Sequence, residues 1–210
     1  MPFTAGFSSR YRFSLLLLVV AVFIWSAIQP YDRATWWMEV APVVIAVPLL
    51  ILTYRRFPLT SLLYGLIAVH CVILLVGGHY TYARVPLFDE LRDLFGWQRN
   101  HYDRLGHLAQ GFVPAMIGRE LLLRTSPLKP GRWLFILLVL SCLGISALYE
   151  LIEWAAAALT GEAAMDFLGT QGDVWDSQKD MLMAGVGAIL GLATLSRWHD
   201  CQLAPLKNRH

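Results

Sequence analysis

This sequence is poor in charge. It holds 17 Lys and Arg and 15 Asp and Glu in 210 residues, for a net charge of +2. So small an excess, with no basic stripe interleaved with aromatics, excludes the footprint of a nucleic-acid-binding protein. Cysteine is scarcer still, at 3 residues. Cys71 and Cys142 lie in apolar runs and Cys201 in the tail, with no CxxC or other paired spacing. They read as two small core residues and one free thiol. Also lacking are a Ser-His-Asp elbow, a Walker loop, an HExxH string and a nucleotide fingerprint. The many paired histidines of a membrane di-iron desaturase are missing too, as are internal repeats and low-complexity segments.

What is there is apolar. Hydrophobic residues make up 57% of the chain and mean hydropathy is +0.52, far from a soluble domain. A helix needs roughly 20 apolar residues to cross ~30 Å of hydrocarbon. The sequence predicts an all-α, polytopic membrane helix bundle, one integral domain over residues 1–210. About six transmembrane helices are expected, over 13–28, 36–54, 59–76, 103–123, 133–158 and 174–198. The first run resembles a signal sequence, but no convincing small-residue cleavage site follows it, so it reads as an uncleaved helix. Pro42 and Pro48 imply kinks in the second span. Between the third and fourth, Leu87, Phe88, Leu91, Leu94 and Phe95 fall at helical spacing between Pro86 and Gly96. They predict a short amphipathic helix on the membrane surface, with Trp97 as anchor.

Lys and Arg set the orientation. Arg10, Arg12, Arg55, Arg56, Arg119, Arg124, Lys129, Arg132, Arg197, Lys207 and Arg209 fall on one side. The fewer Arg33, Arg84, Arg92, Arg99, Arg104 and Lys179 fall on the other. Both termini of this multi-pass chain are therefore expected in the cytoplasm. The connection between the fifth and sixth spans carries Glu162, Asp166, Asp173 and Asp176 on the outer side.

Against this topology the ionisable residues converge at one depth. Asp103, His107 and Gln110 lie within about 60° of one another on the fourth helix, at ~100° per residue. Asp173, Asp176 and Asp180 occupy a similar arc of the sixth, if that helix already includes Asp173. Their stripe continues as Ala184, Gly187 and Gly191, small residues that let a neighbouring helix come close. Glu150 and Glu153 sit ~27 and ~31 Å along the fifth span, near the same boundary. Charged groups inside a span are costly unless paired, solvated or facing a cavity, which makes them functional candidates. The competing reading is structural: Asp103, Asp173 and Asp176 as helix caps, and Asp180 and Glu150 as buried partners of Arg104, Lys179 or His107. Gly77-Gly78-His79-Tyr80 reads as a flexible turn that brings a histidine to this depth. Gly169-Thr170-Gln171-Gly172 reads as a turn, or as an anion nest.

Carboxylates, an imidazole and a glutamine together have the chemistry of a divalent-cation site for Mg, Mn or Zn. The leading expectation is a metal-assisted enzyme acting on an envelope lipid or lipid-linked substrate. His107, Glu150, Asp176 and Asp180 would be the metal ligands, with Asp103 or Glu153 as general base. Gln110, Asp173 and His79 are further candidates. The alternatives are a proton-coupled transporter or channel, in which the acids form a relay, and a structural membrane protein with buried ion pairs.

Three blocks carry a resemblance: YDRLGHLAQGFVPAMIGREL from Tyr102, ALYELIEW from Ala147, and FLGTQGDVWDSQKDM from Phe167. In them the chain resembles the YjdF inner-membrane protein family of bacteria, whose function is unknown. The resemblance implies location and helix count rather than activity. More distantly, Asp103, His107, Glu150 and Asp180 are similar to the pattern of VanZ-like membrane proteins. That similarity implies a role near the envelope's glycopeptide or lipid chemistry. The extra Asp173, Asp176 and Glu153 depart from the pattern.

Overall fold

A computed structural model describes residues 9–160 and 170–207. Among them are seven helices and no strand. They are α1 (Ser9–Ala27), α2 (Arg33–Thr53), α3 (Ser61–Tyr80), α4 (Pro86–Phe95), α5 (Tyr102–Thr125), α6 (Arg132–Thr160) and α7 (Asp176–Lys207). Five of these, α1, α2, α3, α6 and α7, are long and apolar enough to cross a membrane. Their outer faces expose large apolar side chains such as Leu17, Ile45, Leu52, Leu140 and Leu182. Water would not tolerate so continuous an apolar surface; a bilayer requires it. The chain is a polytopic helical membrane protein.

The fourth expected span, α5, differs from the others. Its 24 residues reach about 36 Å, enough to cross, but it carries charges at both ends. The reason it can do so is position. α5 packs against α3, α6 and α7 in the middle of the bundle, and Arg104, His107, Arg119 and Glu120 are all buried within it. The partner held closest is α7. A Cβ on Gly111 would overlap the Ala184 carbonyl oxygen, and one on Gly187 the Leu108 carbonyl. Only glycine lets the two backbones meet, so the small stripe on α7 finds its neighbour in α5. Trp36, Val40, Leu63, Leu75 and Met116 fill the apolar core beside this pair.

Local signals fix several boundaries. Asp32 caps α2, its carboxylate accepting from the Thr35 amide at 2.7 Å; that bond holds its carboxyl below the usual carboxylate range. Pro86 opens α4 and Gly96, at φ 67°, closes it. α4 has no buried residue and exposes Leu87, Leu94 and Phe95, as a surface-lying helix should. The expected turn at Gly77–Tyr80 is a correction. α3 runs on through Tyr80 with Gly77 and Gly78 buried inside it. The positive φ values fall on Thr81 and Tyr82 instead, because Gly77 makes room for the Tyr82 ring that folds back on it. α7 begins at Asp176, later than expected, and runs past Trp198 to Lys207. Its 32 residues reach about 48 Å, more than a bilayer core. Glu162, Asp166 and Gly169 lie outside the described residues.

Candidate functional site

The first two turns of α5 carry Asp103 and His107 on one face, and the end of α6 and start of α7 bring Glu150 and Asp180 to meet them. His107 Nε2 lies 3.5 Å from Glu150 Oε1, 3.6 Å from Asp103 Oδ1 and 3.9 Å from Asp180 Oδ1. None of these is a hydrogen-bond length. They are instead close to the edge of a coordination tetrahedron, about 3.4 Å for bonds of ~2.1 Å. Asp103, His107 and Asp180 offer three ligand atoms all within 4.8 Å of one another. The side chains of His107 and Asp180 are 6% and 3% exposed, so both are shielded from the water that would otherwise solvate them.

On the far side of Asp180 stands a layer of cations. Arg104 Nη1 pairs with Asp180 Oδ1, and its Nη2 lies 2.5 Å from Asp176 Oδ1 and 3.3 Å from Asp173 Oδ2. Arg99 also pairs with Asp176 and comes to 3.5 Å from Asp103 Oδ2. Asp176 is therefore held between two guanidinium groups, an anchoring role that differs from the metal ligation expected of it. Asp173 precedes the helix. Lys179 at 2.6 Å and then the Trp175 amide hold its carboxyl below the usual carboxylate range. Gln171 and Asn100 exchange hydrogen bonds, Asn100 N to Gln171 Oε1 at 2.9 Å and Gln171 Nε2 to Asn100 O at 3.0 Å. The segment before α7 is thus a turn stapled to the segment before α5.

Asp103 and His107 also line a cavity of about 210 Å³. Gln110 and Glu153 border it, as do Glu39 from α2, His70 from α3 and the rings of Tyr82 and Tyr149. Pro42 and Pro114 line it too, and each leaves the carbonyl four residues earlier, Met38 and Gln110, without its helical donor. Tyr149 donates to Glu39 at 3.2 Å. Among the described residues no Lys or Arg lines the cavity.

Most of the expected site residues come together here; His79 does not. Its Nδ1 donates to the Ser26 carbonyl at 3.0 Å and its ring lies 4.4 Å from Trp25, a contact that ties α3 to α1. Glu39, His70, Arg99 and Tyr149 join the site without having been singled out as functional. Glu39 had a signal: it is the sole charged residue between Arg33 and Arg55, and a lone acid in a span is a functional candidate by default.

A second polar network occupies the other end of α5. Glu120 accepts from Arg124 at 2.9 Å, from the Thr60 amide at 3.1 Å, and from His199 Nε2 at 2.9 Å. His199 Nδ1 lies 2.7 Å from Arg119 Nη1. An arginine only donates, so Nδ1 is the acceptor and the imidazole is neutral with its proton on Nε2. Arg119 reaches Asp200 at 2.9 Å.

Comparison with known proteins agrees with this architecture. Residues 11–201 match the model of a family described as predicted membrane protein (DUF2238). The inner membrane protein YjdF of Escherichia coli (strain K12) is 49% identical over 187 residues, 89% of this chain and 90% of that protein. No solved structure matches. Neither sequence comparison shows the more distant similarity to VanZ-like proteins. With five helices among the described residues long and apolar enough to cross a membrane and a relative of this closeness in the inner membrane, the chain is a multi-pass inner-membrane protein, and it belongs to the DUF2238 family of membrane proteins that includes YjdF.

Proposed function

We propose that this protein is a metal-dependent enzyme acting on the polar head of an envelope lipid or lipid-linked substrate. The observation that carries the reading is the position of His107 Nε2, surrounded at 3.5 to 3.9 Å by oxygens of Asp103, Glu150 and Asp180. Three buried carboxylates around one imidazole nitrogen repel one another, and a divalent cation at their centre reverses that cost. Asp103, His107 and Asp180 are the ligands in this reading, and Mn, Zn or Mg the ion. Glu150 Oε1 has no hydrogen-bond partner in the protein. It is the group placed to take a proton from a water that the ion polarises. Arg104 and Asp176 hold Asp180 in register. The substrate class follows from the surroundings: the site lies inside a membrane bundle, beside surface-lying α4, whose Phe88 ring packs on Tyr102 at 5.2 Å.

Elemental analysis of the detergent-purified protein tests this directly, against His107→Ala and Asp180→Asn variants shown to remain folded. About one Mn, Zn or Mg ion per chain, lost in both variants, is the expected result. No metal in the wild type, even after reloading with Mg and Mn, sinks the reading. A second reading, proton-coupled transport, is favoured by Glu39 alone, a carboxylate set inside α2 and bonded to Tyr149. It predicts pH-dependent flux in liposomes that a Glu39→Gln variant loses.

A further inference from the structure

The cavity beside the proposed metal centre has a chemistry of its own. Its acidic walls are Glu39, Glu153 and Asp103, and among the described residues no Lys or Arg lines the space. Glu39 and Glu153 are 6% and 7% exposed. Burying a carboxylate without a cation is among the costliest arrangements a protein can hold. An acidic cluster alone would say little, but a second observation is independent of it. Three side-chain atoms on cavity-lining residues have no hydrogen-bond partner in the protein: His107 Nδ1, Gln110 Oε1 and His70 Nε2. His107 itself is 5% exposed. Buried polar atoms are nearly always paired, so three orphans around one space mark a place where a ligand supplies the partners.

We infer that the cavity binds a small ammonium group. Two buried carboxylates match its positive charge. Gln110 Oε1 accepts one of its N–H bonds, and the rings of Tyr82 and Tyr149 offer the aromatic walls that favour a cation. A phosphate entering the same space would meet three acids and no Lys or Arg, so the group that enters the cavity is the cationic one. One part of the inference rests on the proposed metal centre. If His107 binds an ion through Nε2, its Nδ1 carries the proton and donates into the cavity. The ligand then needs an oxygen close to its nitrogen. A short amino alcohol or its phosphoester, an ethanolamine-like head, has both, whether it belongs to a bilayer lipid or is free.

The test is binding of ethanolamine and choline to the full-length protein in detergent at constant pH, by calorimetry. The neutral isostere 3,3-dimethylbutanol and inorganic phosphate serve as controls. Saturable binding of the two cations and not of the controls is expected. Glu39→Gln and Glu153→Gln should each weaken it by about tenfold or more, the loss of one charge-assisted bond. Should either glutamine variant fold poorly, Gln110→Leu provides a test from a neutral residue: it should weaken binding of ethanolamine, whose N–H bond Gln110 accepts, and spare choline, which has none. Equal binding of the isostere, no binding of either cation, or unchanged affinity in the variants overturns the inference. Reconstitution separates the two sources. Nanodiscs of phosphatidylethanolamine that suppress ethanolamine binding relative to phosphatidylglycerol identify the lipid head, and unsuppressed binding identifies a free amine. Failure of the metal reading looks different: no bound ion, with cation binding and its Glu39 and Glu153 dependence intact.

Discussion

The two ends of α5 bury similar residues to opposite ends. At one, Glu120 and Asp200 face Arg119 and Arg124, two carboxylates against two guanidinium groups, with a neutral His199 between them. Both Glu120 oxygens accept hydrogen bonds, from Thr60, Arg124 and His199. At the other, seven carboxylates (Glu39, Asp103, Glu150, Glu153, Asp173, Asp176 and Asp180) surround three cations, Arg99, Arg104 and Lys179. Cations and acids are unevenly placed there. All three cations stand on the Asp173–Asp180 side, and the cavity has none. A balanced, fully bonded network holds helices in register and gains nothing from a ligand. An acid-rich one with orphaned atoms is stable only at a cost that a bound cation removes. Burial alone therefore does not mark a functional residue inside a membrane; the mismatch between its charge and its partners does.

The sharpest way to break this comparison is to remove one acid from each end. Glu120→Ala leaves Thr60 N–H, His199 and Arg124 buried without their acceptor and should destabilise the protein by about 3–5 kcal/mol. Asp180→Asn relieves repulsion and leaves Arg104 paired with Asp176 and Asp173, so its effect should stay within about 1 kcal/mol. Size-exclusion of detergent samples after graded heating measures both. Equal losses would make the two networks alike and both structural.

A gentler test adds what the acid-rich end lacks. At a concentration 100 times its Kd, Mn should stabilise the wild type by about 2.7 kcal/mol. It should leave His107→Ala unmoved and act normally on a variant softened in the Glu120 network. The same heating assay reads this. Mn stabilisation that survives His107→Ala would place the ion elsewhere.

How much of this was legible beforehand depends on distance along the chain. Hydropathy marked the apolar helices, and the 3.6-residue period put Asp103, His107 and Gln110 on one face, because both are local properties. The stripe of Ala184, Gly187 and Gly191 announced a close neighbour without naming it. What helix faces cannot tell is which faces meet: Glu120 and His199 are 79 positions apart, and Glu39 and Tyr149 are 110 apart. Asp176 was placed among the ligands by its period, but its partners Arg99 and Arg104 come from around the start of α5. Paired glycines at Gly77 suggested a turn because glycine permits one. The helical ladder instead ran through them, with Tyr82 packed on Gly77 and α2 packed on Gly78 where side chains are lacking.

The contact that joins the two regions offers the next test. Gly187→Val would push a branched side chain into the Leu108 carbonyl and pry α5 from α7 along its whole length, at a cost of about 1–3 kcal/mol or more. Because the cluster at each end needs both helices, metal content and thermal stability should fall together. Gly144→Ala, where a Cβ meets nothing within 4 Å, is the control and should change neither. Metal binding that survives Gly187→Val would show that the His107 cluster does not depend on the α5–α7 contact.

The smallest expected effect lies at the rim of the acid-rich end. His101 precedes α5, and burial first, then the nearby Arg99, Arg104 and Lys179 charges, lower its pKa. An unfolded histidine titrates near 6.5, so below that pH the unfolded chain takes up the proton before the folded one does. The resulting contribution to stability is fully present above about 6.5 and is lost as pH falls from there through the folded value. His101→Gln should flatten the fall in stability between about pH 7.5 and 5.5 without changing stability at the upper end. The Glu120 network is remote from this residue, so Glu120→Gln should shift the whole curve and leave that slope in place. A slope unchanged by His101→Gln would assign the pH dependence to the carboxylates, and with it the surplus charge that distinguishes the two ends of α5.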